Sequence, residues 1–424
     1  MELIVALLVL FGVARLAGEG MERIHQSPML GEVLAGIVLG PMLLGLIDPN
    51  PVTDLGASLN VVATLGVFVL VLLAGIELGR EGLRQAIHER SIIVAVVEFI
   101  LPFSLGYAFA QTLGFNLTQS LFLATAMAVT ALPVSVRILM DLNLLHSRLG
   151  RAIVSVALAN DLVAFGMLGL VVAFSQVGGA PGASTAAFIA VKILLFVGLI
   201  ILVGIILKRT GHSTEDGPSP MQRLLGHIKA PEGAFAICVI LALLLGAAAE
   251  SVGIHFAVGA FYAGVLITPQ LMGREEFNQI RRSISAVSYG LLTPIFFAYI
   301  GLRFSFTLDA WPLIVAVTGL AFAGKLLGGI LGGFAAGFRG APLVALGVGL
   351  NARGMMELLL AQVGLATGII DADLYSALII MTIVTTFSTP PLLKRLLKRF
   401  KVEDILPPAA HAALKKPGGA NGGP

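Results

Sequence analysis

An amide and a carboxylate stand side by side at Asn160 and Asp161, in the run "SVALANDLVAF" and inside an apolar stretch from Ala152 to Phe174. Asp161 lies 12 residues from Leu149 and 14 from Ser175, which at about 1.5 Å per residue puts it near the middle of a helix of membrane-spanning length. An ionisable group at that depth is expensive unless it is paired or faces a watery cavity, so it is a functional candidate by default. A carboxylate taken out of water must be neutralised, and a proton or a small hard cation can each do so. The two then compete for one site, and competition of that kind is antiport. Hard monovalent cations prefer oxygen ligands, which Asp161, the Asn160 amide, the Thr130 hydroxyl and freed backbone carbonyls can supply.

The freed carbonyls come from the preceding apolar run, "TAMAVTALPVSVRIL", where Pro133 removes a backbone donor and crowds the turn before it. A helix is expected to break around Thr130, Ala131, Leu132 and Pro133. Broken helices at membrane depth are tolerated where they line a site for ions or polar substrates. Three basic residues lie at depth, Lys192, Lys325 and Arg353, and the acids at depth besides Asp161 are Glu32, Glu77, Glu98 and Glu357. Glu77 and Arg353 are expected to pair, because a buried charge left alone is costly. Glu32 and Glu357 are read as orienting helices, and Lys192 and Glu98 are left without a role.

These residues need a scaffold, and the composition says what kind. The chain is 57% hydrophobic and only 12% charged, with a mean hydropathy of +0.96, well outside the range of soluble domains. Apolar stretches of helical length occur at 2–18, 28–46, 58–79, 92–113, 118–140, 149–175, 185–207, 232–250, 254–269, 286–303, 311–337, 342–366 and 373–393. An all-α polytopic membrane protein of about thirteen spans follows, and the first run reads as a span, not a signal peptide. Lys and Arg collect on every alternate loop, twenty-two on one set and Arg303 alone on the other, which predicts an external N-terminus and a cytoplasmic C-terminus. The net charge of +3 follows this topology and implies no nucleic-acid partner. Cys238 is the only cysteine, which excludes an intrachain disulfide and a cysteine metal site. Residues 1–395 read as one transmembrane domain and 396–424 as a short basic disordered tail.

Internal symmetry adds to this. "GEVLAGIVLGP" in span two resembles "VGAFYAGVLITP" in span nine, and each precedes a span centred on glycine, "LAGIEL" and "YIGLRF". From Gly40 to Gly75 is 35 residues and from Gly264 to Gly301 is 37, which pairs Gly40 with Gly264 and Gly75 with Gly301. Seven spans apart, the two units have opposite orientations, the inverted-repeat arrangement of secondary transporters. Span five then matches span twelve, which predicts a second broken helix in "GLNARGMMELLLA", around Gly349, Asn351 and Gly354.

With these motifs in hand, "SPMLGEVLAGIVLGP", "LGVFVLVLLAGIELG", the broken span followed by Asn-Asp, "GAFYAGVL", "TPIFFAYIGL", a Lys in span eleven and "NARGMMELLLA" resemble the monovalent cation:proton antiporters, in particular the Kef-type and Nap-type branch. The resemblance implies a homodimer in the cell (inner) membrane, with a dimerisation domain and a core that moves in an elevator manner. It implies that Asp161 alternately binds Na⁺ or K⁺ and H⁺, that Thr130 and the unwound backbone help hold the cation, and that Lys325 lies close to the carboxylate. Many members of the branch have two adjacent acids where this chain has Asn160 and Asp161. Asn-Asp is more typical of the electroneutral exchangers, which usually carry a Glu and an Arg where Val156 and Lys325 stand here. Electroneutral exchange is expected, with no cofactor, no organic substrate and no nucleotide-binding regulatory domain in these residues. The alternative is a sodium-coupled organic-anion symporter on a similar inverted-repeat fold, and an enzyme is disfavoured because no nucleophile, base and orienting group recur together.

Overall fold

The computed structural model describes residues 2–86, 89–142, 144–145, 147–175, 183–210 and 232–399, and among these the regular structure is helical throughout. The helices of ten or more residues are α1 (Leu3–Arg23), α2 (Pro28–Leu39), α3 (Asp54–Ala86), α4 (Glu89–Thr112), α5 (Leu117–Ala128), α6 (Leu132–Asp141), α7 (Arg148–Ser175), α8 (Ala183–Thr210), α9 (Gly233–Ser251), α10 (Phe256–Leu266), α11 (Arg274–Val287), α12 (Thr293–Leu302), α13 (Trp311–Ala335), α14 (Gly340–Gly349), α15 (Met355–Ala366) and α16 (Ala372–Arg399). Among the described residues nine helical stretches are long and apolar enough to cross a membrane, and α2, α5, α10, α14 and α15 are shorter apolar helices.

Every stretch expected to be helical holds a helix or a broken pair, but the lengths differ for identifiable reasons. The segments at 28–46 and 254–269 carry helices of only 12 and 11 residues. Pro41 and Pro269 follow their ends, and a proline cannot continue a helix that needs its N–H. The segment expected to begin at 286 starts at Arg274 instead, and a π-helical turn over Ser288–Leu292 links its charged first part to α12. A reading of apolar runs misses Arg274–Val287 because that helix is amphipathic and charged. In α3 the chain kinks at Gly79, whose φ of 52° lies in the left-handed region that glycine tolerates. The last helix continues to Arg399, past the expected boundary at 395, and residues 400–424 of the expected tail lie outside the described residues.

Two groups of helices pack internally and meet along a seam. α1, α2, α3, α9, α10 and α12 form one, and α4, α5, α6, α7, α13, α14, α15 and α16 form the other; α7 touches α3 and α10 across the seam, and α15 touches α12. α8 lies mostly outside both, with Phe188, Leu194, Leu195 and Ile201 exposed as lipid-facing side chains would be.

The first group carries the repeat in its contacts. α2 crosses α12 where a Cβ on Gly36 would come within 1.9 Å of the Ala298 carbonyl oxygen, and one on Gly301 within 2.0 Å of that of Val33. α3 crosses α10 in the same way, Gly75 against Phe261 at 2.1 Å and Gly264 against Leu72 at 2.3 Å. Glycine lets the backbones touch at both crossings. The counterpart of Gly264 is therefore Gly36, not Gly40, one helical turn earlier than the sequence spacing suggested; "AGIVLGP" and "AGVLITP" then align without a gap.

Candidate functional site

Both expected breaks exist, and they cross. The chain leaves the helical conformation at Val129–Ala131 between α5 and α6, and at Leu350–Gly354 between α14 and α15. Pro133 falls at the start of α6, where its missing N–H leaves no intrahelical bond unmade. The Ala131 N–H donates to the Ala352 carbonyl at 3.0 Å, so each break satisfies part of the other. A Cβ on Gly354 would stand 2.8 Å from that of Ala131, which is why the second break carries glycine at the crossing.

A helix that stops at membrane depth leaves its last carbonyls without partners and with a partial negative charge. At the end of α5 two cations take them. Arg353 donates to the carbonyls of Ala126 (2.8 Å) and Met127 (2.7 Å), and the Lys325 ammonium donates to that of Ala128. Arg353 also donates to Glu357 Oε1 at 2.8 Å; both side chains are buried, and Glu357 lies in the first turn of α15. The expected pair of Glu77 with Arg353 is thus not formed. Glu77 is exposed near the end of α3, and Glu357, in the first turn after the break that holds Arg353, takes the guanidinium instead.

Glu98 sits at the centre of the buried polar network. Its Oε1 accepts from Lys325 Nζ at 2.5 Å and from Thr130 Oγ1 at 3.0 Å, and its Oε2 accepts from Asn160 Nδ2 at 2.6 Å. A stripe of small residues makes this possible. Gly324, Gly328 and Gly332, four residues apart on one face of α13, lie against Pro102, Glu98 and Val94 of α4, with a Cβ at each about to touch backbone at 3.0 Å. That close approach carries Lys325, next to Gly324, to the Glu98 carboxylate. The sequence marked Glu98 only as an acid at depth. The available signal was that it and Lys325 lie on spans four and eleven, counterparts under the repeat, facing a glycine stripe.

Thr130 neither bonds back within its own helix nor presents free lone pairs. Its hydroxyl accepts from Lys325 Nζ (2.6 Å) and Asn160 Nδ2 (3.2 Å), and its proton goes to Glu98 Oε1 or, at 3.2 Å, to the Leu350 carbonyl. A hydroxyl has two acceptor sites and one donor, so all three are occupied. Asn160 and Asp161, adjacent on α7, point about 100° apart, so the amide joins this network and the carboxylate does not. Asp161 is buried, at 6% exposure, and its Oδ1 has no hydrogen-bond partner. Lys325 lies within electrostatic range of it but gives its bonds to Glu98, Thr130 and Ala128.

The remaining expected residues divide. Ala131 is buried at the crossing; Asn351 is buried beside it, its amide donating to the Phe322 carbonyl at 3.4 Å and its Oδ1 unpartnered. Glu32 is buried in α2, where it packs beside Gly18 of α1. Lys192 lies on α8 with its ammonium 4.9 Å from the Phe188 ring, a cation–π contact remote from this network.

With the geometry established, comparison with known proteins identifies the lineage. The profile of the family described as sodium/hydrogen exchanger, transmembrane, matches residues 5–399. The chain is 28% identical over 383 residues to the Na⁺/H⁺-K⁺ antiporter GerN of Bacillus cereus, covering 90% of this chain and 92% of that protein. It is 29% identical over 415 residues to the Na⁺/H⁺ antiporter NhaS4 of Synechocystis, covering 92% and 96%. Its fold is similar to that of the sodium proton antiporter MjNhaP1 from Methanocaldococcus jannaschii, with a TM-score of 0.69 at 16% identity over 93% of this chain and 97% of that one. A match over nearly all the spans, two crossed helix breaks and a buried acid beside them agree: the chain belongs to the sodium/hydrogen exchanger transmembrane family.

Proposed function

We propose that this protein exchanges a monovalent cation, Na⁺ or K⁺, for H⁺ across a membrane, and that Asp161 is the group that holds either. The observation carrying this reading is the contrast between the two acids of the site. Glu98 has every oxygen satisfied, and Glu357, whose Oε2 also lacks a donor, is ion-paired with Arg353, whereas Asp161 Oδ1 is buried without a donor and its carboxylate forms no ion pair among the described residues. A buried carboxylate oxygen in that condition calls for a proton or a cation, and a group that must carry one or the other couples their movements. Similarity to antiporters named for Na⁺, K⁺ and H⁺ supports the same class of cargo.

In this reading Asn160 and Thr130 hold the network that keeps Lys325 on Glu98 and, with carbonyls freed at the breaks, join the cation's oxygen shell when the network rearranges. Lys325 and Arg353 neutralise the carbonyl end of α5, while Ala131, Pro133 and Asn351 shape the crossing. The helix group containing the breaks is the moving core of an elevator-type cycle; the group with the two glycine crossings is the fixed panel through which two copies form a homodimer. The protein works in the cell membrane with its N-terminus outside and C-terminus in the cytoplasm, residues 1–395 being the exchanger and 396–424 a tail.

With Lys325 and Glu98 compensating each other, Asp161 is neutral whether it holds H⁺ or a monovalent cation, so exchange is electroneutral. The test is purified protein in proteoliposomes with a trapped pH dye, pulsed with Na⁺, K⁺ and Li⁺, and the same preparation on a solid-supported membrane. Saturable, cation-dependent proton movement without a transient current is expected. Absence of exchange with all three ions would overturn the reading, and a current that scales with exchange would overturn its electroneutral form.

A further inference from the structure

We propose that Phe165 and Phe261 form an aromatic gate that closes the approach to Asp161 from one face of the membrane, the external face given an external N-terminus. The proposal rests on the reading of Asp161 as the carrier and goes beyond it by assigning the contact that must part before the carboxylate can meet that face.

Asp161, Phe165 and Gly169 follow one another at four-residue spacing, so they lie on one side of α7, with Phe165 about 6 Å farther along the axis than the carboxylate. The first helix group covers both residues beyond Asp161. The Phe165 and Phe261 rings stack with centroids 3.9 Å apart and planes 20° from parallel, and each residue is 1% exposed. One turn on, a Cβ at Gly169 would stand 3.0 Å from Ile254 Cγ2 and 3.8 Å from Val258 Cγ2. Higher numbers on α7 meet lower numbers at α10, so the two helices run antiparallel and the contact continues from the stacked rings toward the end of α7 at Ser175.

All five residues of this contact are apolar, and two rings at stacking distance leave no room for water between them. A closed apolar constriction excludes ions together with their water, so neither a cation nor a proton-carrying water chain reaches Asp161 along this side of α7. The two halves of the gate belong to different helix groups. Phe261 is anchored in the first, at the α3–α10 crossing, where its carbonyl oxygen lies 2.1 Å from the place a Cβ on Gly75 would take. Phe165 rides on α7, which Asn160 ties to Glu98 of the second group. A shift of one group along the other therefore separates the rings and uncovers the carboxylate, while each group keeps its internal packing.

The test reads access to position 161 directly. With Cys238, the only cysteine, replaced by Ala, an Asp161→Cys reporter is treated with a membrane-impermeant thiol reagent in intact cells and in inverted vesicles, with and without Phe165→Ala or Phe261→Ala. Each protein is checked for monodispersity in detergent. Either alanine is expected to raise the labelling rate in intact cells by about tenfold, the population shift that loss of an aromatic stack and its apolar contact implies, with no rise in inverted vesicles. Phe122→Ala is the packing control, because that ring lies against Gly364 inside the second group; it should lower stability without the rise in intact cells. An unchanged rate in both gate variants overturns the proposal, as does a rise confined to inverted vesicles or one matched by Phe122→Ala. A gate belongs to one conformation and not to the fold as a whole, so aggregation of both gate variants overturns it too. A second arm uses Phe165→Cys/Phe261→Cys with Asp161 in place: joining the two thiols with a short bifunctional reagent should stop cation-dependent proton movement in proteoliposomes, and reduction should restore it. Exchange that continues in the cross-linked protein overturns the gate; if the unlinked pair does not exchange, the labelling decides. Labelling at position 161 needs no transport, so it is read independently of the carrier assignment, which exchange persisting in Asp161→Asn would contradict.

Discussion

An acid side chain taken out of water needs a neutralising partner, and three acids of the core meet that need in three ways. Glu98 has a lysine, a hydroxyl and an amide; Glu357 has an arginine on one oxygen and no donor on the other; Asp161 has an oxygen with no donor and no ion pair among the described residues. The Arg353–Glu357 pair lends itself to a direct prediction, because the arginine also closes two carbonyls of α5. Arg353→Gln should lower stability in detergent by about 3–5 kcal/mol and Glu357→Gln by less, because the guanidinium keeps its carbonyls in the second variant. The double variant should recover part of the summed loss, since no lone charge remains. Thermal unfolding of the four proteins provides the cycle, and strictly additive losses would show that the pair is not coupled.

Among the elements, α13 shows how a glycine pattern becomes a charge contact. Gly328 allows α13 to lie against the backbone at Glu98, and Gly319, on the same helix, has open space where its side chain would be. Gly328→Leu is therefore expected to push α13 off α4, lower stability by about 1–3 kcal/mol and cut exchange severely, whereas Gly319→Ala should leave stability equal or slightly raised. Thermal unfolding and dye-reported exchange of the two variants distinguish them; equal effects would mean that the close approach is not what places Lys325. The same helices mark the limit of what the sequence disclosed. Pro133 announced its break, and the second followed from the repeat, because both signals are local or periodic. The partner of Lys325 was hidden because a single sequence does not say which face of α4 meets which face of α13. Arg353 was given the wrong acid for a related reason: it stands in the break itself, where no helical period says which way a side chain points.

For the whole molecule, the inverted repeat does two different things in its two helix groups. In one it produces a pair of glycine crossings, Gly36–Gly301 and Gly75–Gly264, that let backbones touch. In the other it produces two broken helices whose crossing is held by Ala131 and Ala352 and whose carbonyl end is neutralised by Lys325 and Arg353. Asp161 lies on α7, a helix of the second group that also touches α3 and α10 of the first, so a shift between the groups would change what the carboxylate faces. The most direct measurement is cation-dependent proton movement in proteoliposomes containing Asp161→Asn, which keeps the shape of the side chain and removes its titration, with monodispersity in detergent as the folding control. The predicted result is folded protein without exchange for Na⁺, K⁺ or Li⁺; folded Asp161→Asn that exchanges at the parental rate would contradict it.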